Sequence, residues 1–586
     1  MNTTTPEKRK FGIDITLVGV LIYAFFVWAA ALRVQFSGDD FQYLHSLAPI
    51  REFGDILKPF FMHDINPSVF RPLANLTFVS DFLLYGWDPL GFHLTNLLLH
   101  VIATAFVFFT ARNIFGLERR LAIGAAFLFG ILGSHDFNIL TSTARADILV
   151  AIFTMATLLC EWKADKAIGS TFRRFVWKLF GLISMSLALF SKEVAIMILP
   201  MMVLLFDITP WSFNRKALVA AIKRLWPYVI LTAAWYVYHA YYTGAPSSSQ
   251  PLQSDAMSSP AALVRNALYG IGYMFLPLDL KTATLILTQY KIPALIVGVG
   301  LISGMTLLLI RSLKGIGIRV FYAPFVFSLL SGLLVVLSFE RWRLYTPSVG
   351  GVALFALVFG LVGERYQSRW AANTRRLFLY GYLIFNSIHA VLICLNWAQS
   401  TARLTRYKDE LGKLLTPLSA TWEAGHMAPL DLTFIDVPSK LGSASVLQLG
   451  LEDIVKQAVA EGRYPRQAAQ CDVRHINLET HSAAEVYALD HDIGFDELRV
   501  SRISPNEFDL QVPPTGSTVL IPALGFVSGV ARRDWTLKTG ETVQLDRATV
   551  VIEKANGPTA SQLLVRINDT NTVPILFEKD DFSIAR

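Results

Sequence analysis

Cysteine and charge are what this chain has least of. Three cysteines in 586 residues, Cys160, Cys394 and Cys471, exclude a disulfide framework. With no CxxC pair and no zinc-like spacing they exclude a structural zinc site as well. Cys160 falls near the expected inner end of a helix, out of reach of the other two, and nothing in the sequence calls for a Cys394–Cys471 bridge. Only 17% of residues are charged, too few to clothe a water-soluble chain of this length. No self-similarity at a period of about 20–50 residues is present, which excludes a helical repeat array.

What is present is apolar. Hydrophobic residues make up 53% of the chain, the mean hydropathy is +0.44 and phenylalanine alone contributes 41 residues. The net charge of +7 invites a nucleic-acid partner, yet the lysines and arginines gather in short segments between apolar runs. Membrane topology accounts for that pattern, and no nucleic-acid partner is expected. The first run, Ile13 to Leu32, follows Lys8, Arg9 and Lys10 and ends in small residues, as a cleaved leader does. It is longer than a leader core and matches a span of about 20 residues, so a retained helix is expected.

Further apolar runs lie near 90–110, 121–140, 147–162, 177–190, 194–208, 226–243, 292–310, 320–339, 347–363 and 377–395, giving about eleven helices. Alternate connectors are basic: Arg112/Arg119/Arg120, Lys163/Lys166/Arg173/Arg174/Lys178, Arg215/Lys216/Lys223/Arg224, Arg311/Lys314/Arg319 and Arg365/Arg369/Arg375/Arg376. An inside N-terminus sends all of them to the cytoplasm, which the positive-inside rule favours. The outer side then receives long loops at 34–89 and 244–290, with Ala261–Leu278 as an interfacial or re-entrant helix not counted as a span.

The expected fold class is an α-helical polytopic membrane protein, N-in and C-out, carrying a C-terminal soluble α/β, β-rich domain. The expected boundary lies at 397/398, with 398–586 outside the cytoplasm. Residues 398–414 read as a polar helix, 430–437 as a strand and 444–460 as an amphipathic helix. Strands are expected at 498–503, 508–512, 549–554 and 563–567, with turns at Ser504-Pro505-Asn506 and Asn556-Gly557-Pro558.

Ionisable residues at membrane depth are costly and tend to mark function. Here most fall at expected outer helix ends. Asp39 and Asp40 follow the first helix and can act as a general base, as metal ligands or as a helix cap; one can cap, which leaves the other unexplained. Arg71 and Asp81 precede the second helix, where His93, Asn96 and His100 share one face. The bland reading of that trio is a polar helix–helix contact, and two histidines without a carboxylate make a poor metal shell. Arg145-Ala146-Asp147, Lys192-Glu193 and Arg341-Trp342-Arg343-Leu344-Tyr345 bring cations to the outer leaflet against the positive-inside trend. A generic headgroup anchor explains them blandly; an anionic ligand such as a lipid phosphate explains them functionally.

In order, Asp39-Asp40, Phe70-Arg71-Pro72-Leu73, Asp81 with Gly86, Pro89, His93, Asn96 and His100, Arg145-Ala146-Asp147, Lys192-Glu193, and Arg341 through Tyr345-Thr346-Pro347-Ser348-Val349-Gly350 resemble the GT-C membrane glycosyltransferases. The resemblance covers roughly residues 10–400 and is nearest to the TMTC-type and PMT-like protein O-mannosyltransferases and their bacterial relatives. It implies a polyprenyl-phosphate-linked sugar as donor substrate, inversion at the anomeric carbon, and Asp39 or Asp40 as catalytic base. No cofactor is firmly implied, and a divalent metal is left open. Membrane lipids and a protein, lipid or polysaccharide acceptor would be the partners, with the site and tail on the outer face of a bacterial inner membrane. TMTC-type proteins continue into tetratricopeptide repeats where this chain turns β-rich, so the acceptor stays open.

Because the leaving group of such a donor is already an anionic phosphate, no general acid is required. One carboxylate base plus cations is a sufficient set. Arg145, Lys192, Arg341 and Arg343 are the candidate phosphate clamp, and Arg71 can serve phosphate or sugar. Asp81, His93, Asp147 and Glu193 can orient the cations or bind sugar hydroxyls, and Tyr345 joins the substrate-binding set through its motif. Two other classes fit a polytopic chain: a lipid-linked-sugar transporter or flippase, which should show midplane charges and paired halves, and an inactive scaffold for envelope assembly.

Overall fold

The computed structural model describes residues 14–37, 40, 41, 43, 52–61, 70–209, 214–243, 260–276, 319–337, 341–365 and 369–423. In the tail it describes the strands between 431 and 584, together with 538–541. Asp39, the apolar run 292–310 and residues 446–460 lie outside the described residues.

The helices are α1 (Ile15–Trp28), α2 (Pro72–Tyr85), α3 (Pro89–Asn113), α4 (Arg119–Ile131), α5 (Asp136–Leu140), α6 (Arg145–Lys166), α7 (Thr171–Ser191), α8 (Ile198–Met202), α9 (Arg215–Thr243), α10 (Pro260–Phe275), α11 (Arg319–Ser331), α12 (Leu333–Leu337), α13 (Tyr345–Arg365) and α14 (Arg369–Glu423). Their starts follow ordinary capping chemistry. The Asp14 carboxylate accepts from the Thr16 and Leu17 amides at 3.1 and 3.3 Å, and Asp88 accepts from Leu90 at 3.0 Å with Pro89 at the first helical position. Gly86, which ends α2 at φ +60°, adopts a left-handed backbone that a side chain would disfavour.

Among the described residues seven helical stretches are long and apolar enough to cross a membrane, and the α4–α5 pair, bent by 51°, makes an eighth if taken as one span. The run at 194–208 is not one uniform helix. It passes from a 3₁₀ turn (Glu193–Met197) through α8 to a π turn (Val203–Asp207), with Pro200, which lacks an amide hydrogen, near its centre. The run at 320–339 divides into α11 and α12 around Gly332. Leu17, Phe129, Met155, Met202, Tyr228 and Val352 belong to one continuous buried core. Phe26, Val237 and Leu377, each about 70% exposed, point outward from the bundle, as side chains facing hydrocarbon do.

No proline or glycine lies between Gly381 and Gly412, and α14 continues through 397/398 into the polar helix expected over 398–414. Expected strands appear at β1 (Asp431–Ile435), β6 (Arg499–Ser504), β7 (Glu507–Gln511), β10 (Ala548–Asn556) and β11 (Thr559–Ile567). Strands β6 and β7, and β10 and β11, pair antiparallel across the two expected turns. Ala444–Ser445, expected to open a helix, form strand β3 paired with β2 (Lys440–Leu441). Strand β1 lies parallel to both β4 (Val473–Ile476) and β12 (Thr572–Glu578).

At one end of the bundle Arg224 of α9 uses all five of its N–H donors. Nε reaches Asp207 at 2.8 Å, Nη1 reaches Glu161 and Asp165 at 2.8 and 3.1 Å, and Nη2 reaches Asp165 and Asp207 at 2.9 and 3.2 Å. Lys178 of α7 and the Tyr228 hydroxyl donate to the same Glu161 carboxylate. The Tyr228 hydroxyl sits so close to Gly181 that a Cβ there would collide with it, so the glycine is what lets α7 and α9 approach. Replacing Arg224 by alanine leaves Asp207 buried without its cation and Glu161 with Lys178 alone, and is expected to cost on the order of 3 kcal/mol. Arg224→Lys, lacking the fork, should recover only part. Thermal unfolding in detergent reads this directly, and an Arg224→Ala protein that melts with the wild type would remove the staple.

Candidate functional site

The opposite end of the same three helices carries a second group of charges. Arg145 opens α6 with no exposed surface. Its Nε donates to Asn96 Oδ1 at 2.6 Å, Nη2 to the Phe92 carbonyl at 2.9 Å and Nη1 to Thr77 Oγ1 at 3.2 Å. Nη1 also pairs with Asp81 at 2.7 Å, and the guanidinium lies 4.6 Å above the Phe78 ring. The Asn96 amide then donates to the Asn138 and Thr141 carbonyls at 3.4 and 3.0 Å, so Arg145 organises α2, α3 and the turn before α6. Three hydrogen bonds and one ion pair thus engage the Arg145 guanidinium inside the protein. Asp81 is correspondingly Arg145's counter-charge, and its other oxygen accepts from Thr95 at 2.7 Å.

Asp40, 1% exposed, accepts from the Ser37 amide at 3.1 Å with one oxygen and from the Thr143 amide at 3.2 Å with the other. It ties the segment after α1 to the turn before α6 and lies within electrostatic reach of Arg145.

Two further ion pairs stand beside this one. Lys192, whose extended backbone ends α7, places Nζ 2.7 and 2.6 Å from the two Asp147 oxygens. Arg71, just before α2, meets Glu193 in a two-point contact, Nε to Oε1 at 3.1 Å and Nη2 to Oε2 at 2.9 Å. Burial opposes both charges of that last pair, but Arg71 holds the Glu193 carboxyl well below the usual carboxylate range and Glu193 holds the guanidinium above its ordinary value. The pairs are coupled, since Arg71 also feels Asp147 and Lys192 feels both Arg71 and Glu193.

Asp40, Arg71, Asp81, Arg145, Asp147, Lys192 and Glu193 therefore converge, although α2, α6, α7 and the segment after α1 bring them from distant sequence. The remaining candidates sit apart. Arg341 lies 3.5 Å from Asp136 and 4.8 Å above the Phe137 ring, and Arg343 is on the same short turn, which Asn138 holds by donating to the Trp342 carbonyl at 3.1 Å. Tyr345 is wholly buried, its hydroxyl 2.8 Å from His100 Nδ1. His100 Nε2 donates to the Gly130 carbonyl at 3.1 Å, so in the neutral ring the Tyr345 hydroxyl is the donor to Nδ1 and has no proton left for a sugar. His93 is buried with neither ring nitrogen hydrogen-bonded. Cys160 and Cys394 are free thiols. Among the described residues no three His, Cys, Asp or Glu side chains are grouped to hold a metal.

Sequence reasoning missed His239. It reads as one more ring in the aromatic stretch Trp235–Tyr242 of α9, yet its Nε2 faces Glu193 Oε1 at 3.8 Å. It also missed an apolar groove of about 520 Å³ between α7, α9 and the 3₁₀ turn Phe53–Phe60, lined by Phe60, Phe61, Leu189, Phe190, Leu231 and Trp235. Phe190 precedes Glu193 by three residues and Trp235 precedes His239 by four, so two lining residues are near neighbours in sequence of the charged corner.

No family model matches the chain. Human protein O-mannosyl-transferase TMTC1 is 32% identical over 132 residues, covering 22% of this chain and 15% of the relative. Mouse protein O-mannosyl-transferase TMTC4 is 27% identical over 172 residues, 27% of this chain and 23% of the relative. The chain thus spans less than a quarter of the length of these curated relatives, which belong to the family that its ordered motifs resemble. The oligosaccharyltransferase of Archaeoglobus fulgidus, solved tethered to an acceptor peptide, aligns at 12% identity over 79% of this chain and 64% of that one, with a TM-score of 0.44. ArnT from Cupriavidus metallidurans, solved bound to undecaprenyl phosphate, aligns at 12% identity over 83% and 96%, with a TM-score of 0.37. Both structural likenesses are too slight to assign a fold or a site.

Asp81→Ala is expected to strand the Arg145 charge in the core at a cost of about 3–5 kcal/mol. Arg341→Ala, at a partly exposed pair, should cost under about 1 kcal/mol. Thermal unfolding of the two purified variants gives the comparison, and equal melting would refute the organising role of Arg145.

Proposed function

We propose that the chain is an inverting glycosyltransferase that moves a sugar from a polyprenyl-phosphate-linked donor to an acceptor hydroxyl on the outer face of a bacterial inner membrane. The observation that carries this reading is the pair of coupled ion contacts, Arg71–Glu193 and Lys192–Asp147, at the end of α7, the helix whose Leu189 and Phe190 line an apolar groove. A lipid-linked phosphate needs that combination: hydrocarbon walls for the chain and cations where the headgroup arrives. The motif-sharing relatives carry the name of a glycosyl transfer.

In the proposed step the acceptor oxygen attacks the anomeric carbon while the bond from that carbon to the phosphate oxygen breaks on the opposite face. The acceptor's proton passes to a carboxylate, and the lipid phosphate departs with the electron pair and an added negative charge. Lys192, two residues after the groove-lining Phe190, and Arg71, which pairs with the neighbouring Glu193, are the cations assigned to that charge, with Asp147 and Glu193 holding them in position. Arg341 and Arg343 form a second cationic turn that suits the acceptor side. Asp40 already accepts two backbone amides, which favours Asp39 as the base. The tail would sit on the same outer face, and the acceptor class remains protein, lipid or polysaccharide.

Asp39→Asn is expected to lower transfer by roughly 100-fold or more with unchanged melting, as loss of a general base does. Asp40→Asn should lower transfer and melting together. Incorporation of radiolabelled sugar from a panel of polyprenyl-phosphate hexoses measures the first effect; full activity in both single variants would sink the base assignment.

A further inference from the structure

Among the described ionisable residues of the site, Arg71, Arg145 and Lys192 are answered by Asp40, Asp81, Asp147 and Glu193. A phosphate that takes the edge of a guanidinium already facing a carboxylate displaces that carboxylate. Exposure says which pair opens. The Arg145–Asp81 side chains are 0% and 5% exposed and Lys192–Asp147 10% and 8%, whereas Arg71–Glu193 are 23% and 33%. Arg71 also carries the planar fork that matches a phosphate as well as it matches a carboxylate.

A displaced carboxylate needs a new donor, and the structure holds one in reserve. His239 Nε2 is buried with no partner at hydrogen-bond length and stands 3.8 Å from Glu193 Oε1, close enough to favour the charged form of that carboxylate. Nδ1 lies 3.4 Å from the Thr243 hydroxyl, and His239 Nε2 donates when it carries the ring proton. Its ring is fixed by Trp235 at 4.9 Å and Phe70 at 6.3 Å, and the Trp235 indole N–H beside it is likewise buried without an acceptor. Unmade donors at a buried spot are costly unless another state uses them.

We propose that Glu193 is a placeholder: it occupies Arg71 in the empty site, yields Arg71 to the incoming lipid phosphate, and accepts a hydrogen bond from His239 Nε2 in exchange. No covalent step is involved. After transfer, the return of Glu193 to Arg71 helps to expel the spent lipid phosphate. The inference rests on the lipid-phosphate reading of the site and adds a carboxylate exchange to it.

The test is binding of undecaprenyl phosphate to the full-length protein in detergent, alongside steady-state transfer. Glu193→Gln should bind the probe about threefold to tenfold more tightly, because a neutral amide competes less well for Arg71, and should lower kcat through slower release. His239→Phe should weaken binding by a similar factor in the wild-type background and have no effect on top of Glu193→Gln, and that non-additivity is the signature of exchange. Arg71→Ala should lose most of the affinity. If Arg71→Ala binds poorly while Glu193→Gln binds no better than wild type, the exchange is overturned and the lipid-phosphate reading stands. If the wild-type protein does not bind undecaprenyl phosphate, that reading falls and the exchange falls with it.

Discussion

A guanidinium with no exposed surface, at the end of a helix in a largely apolar bundle, is the constraint from which the site is built. Hydrocarbon offers no hydrogen bonds, so Arg145 must find every partner within the protein. It takes them from α2 (Thr77, Asp81) and α3 (Phe92, Asn96), and Asn96 in turn holds the turn that leads into α6. Asp147 lies two residues further on, about 200° around the helix, and so addresses the opposite neighbour, Lys192 at the end of α7. The first turn of α6 thus sends one charge to α2 and one to the end of α7, two helices that also pack against each other.

The other end of α6 repeats the device with the signs exchanged. Glu161 and Asp165 draw in Arg224 of α9 and Glu161 also draws in Lys178 of α7, so that α6, α7 and α9 are pinned at this end, while Asp147–Lys192 ties α6 to α7 at the other. Glu161 follows Arg145 by about 24 Å along the axis, close to the thickness of a hydrocarbon core. The α9 wall of the groove is thus fixed by charge at its Arg224 end. Only the Arg71–Glu193–His239 corner, with its longer distances and partial exposure, has slack.

Much of this was legible in residue types and little of it in pairings. Long apolar runs announced α1, α3, α6, α7, α9, α13 and α14, because hydrocarbon selects composition over many residues. Seven of the singled-out charges do meet, since ionisable groups at helix ends have few places to go. Which charge answers which was not legible: Arg145 and Asp81 are 64 positions apart, and nothing local distinguishes a counter-ion from a ligand. Arg224 counted toward topology as one of several basic connectors, and Asp165 and Asp207 drew no notice beside it. His239 was hidden for a different reason, because a histidine among tyrosines and tryptophans resembles core. Pro200 and Gly332 did carry the signal for broken helices, which apolarity outweighed.

Helix α14 is 55 residues long, about 82 Å at 1.5 Å per residue, whereas its apolar part ends at Ala402. Roughly 32 Å of unbroken rod therefore projects past the membrane-suited portion. Strands β2, β3 and β13 (Asp581–Ile584) pack against that helix. Such a rod is a lever. A tilt of about 10° in its embedded half swings the far tip by some 5–6 Å, enough to slide one side chain past its neighbour. Rearrangement among the bundle's helices and displacement of the sheets on the rod are then one motion at two amplitudes.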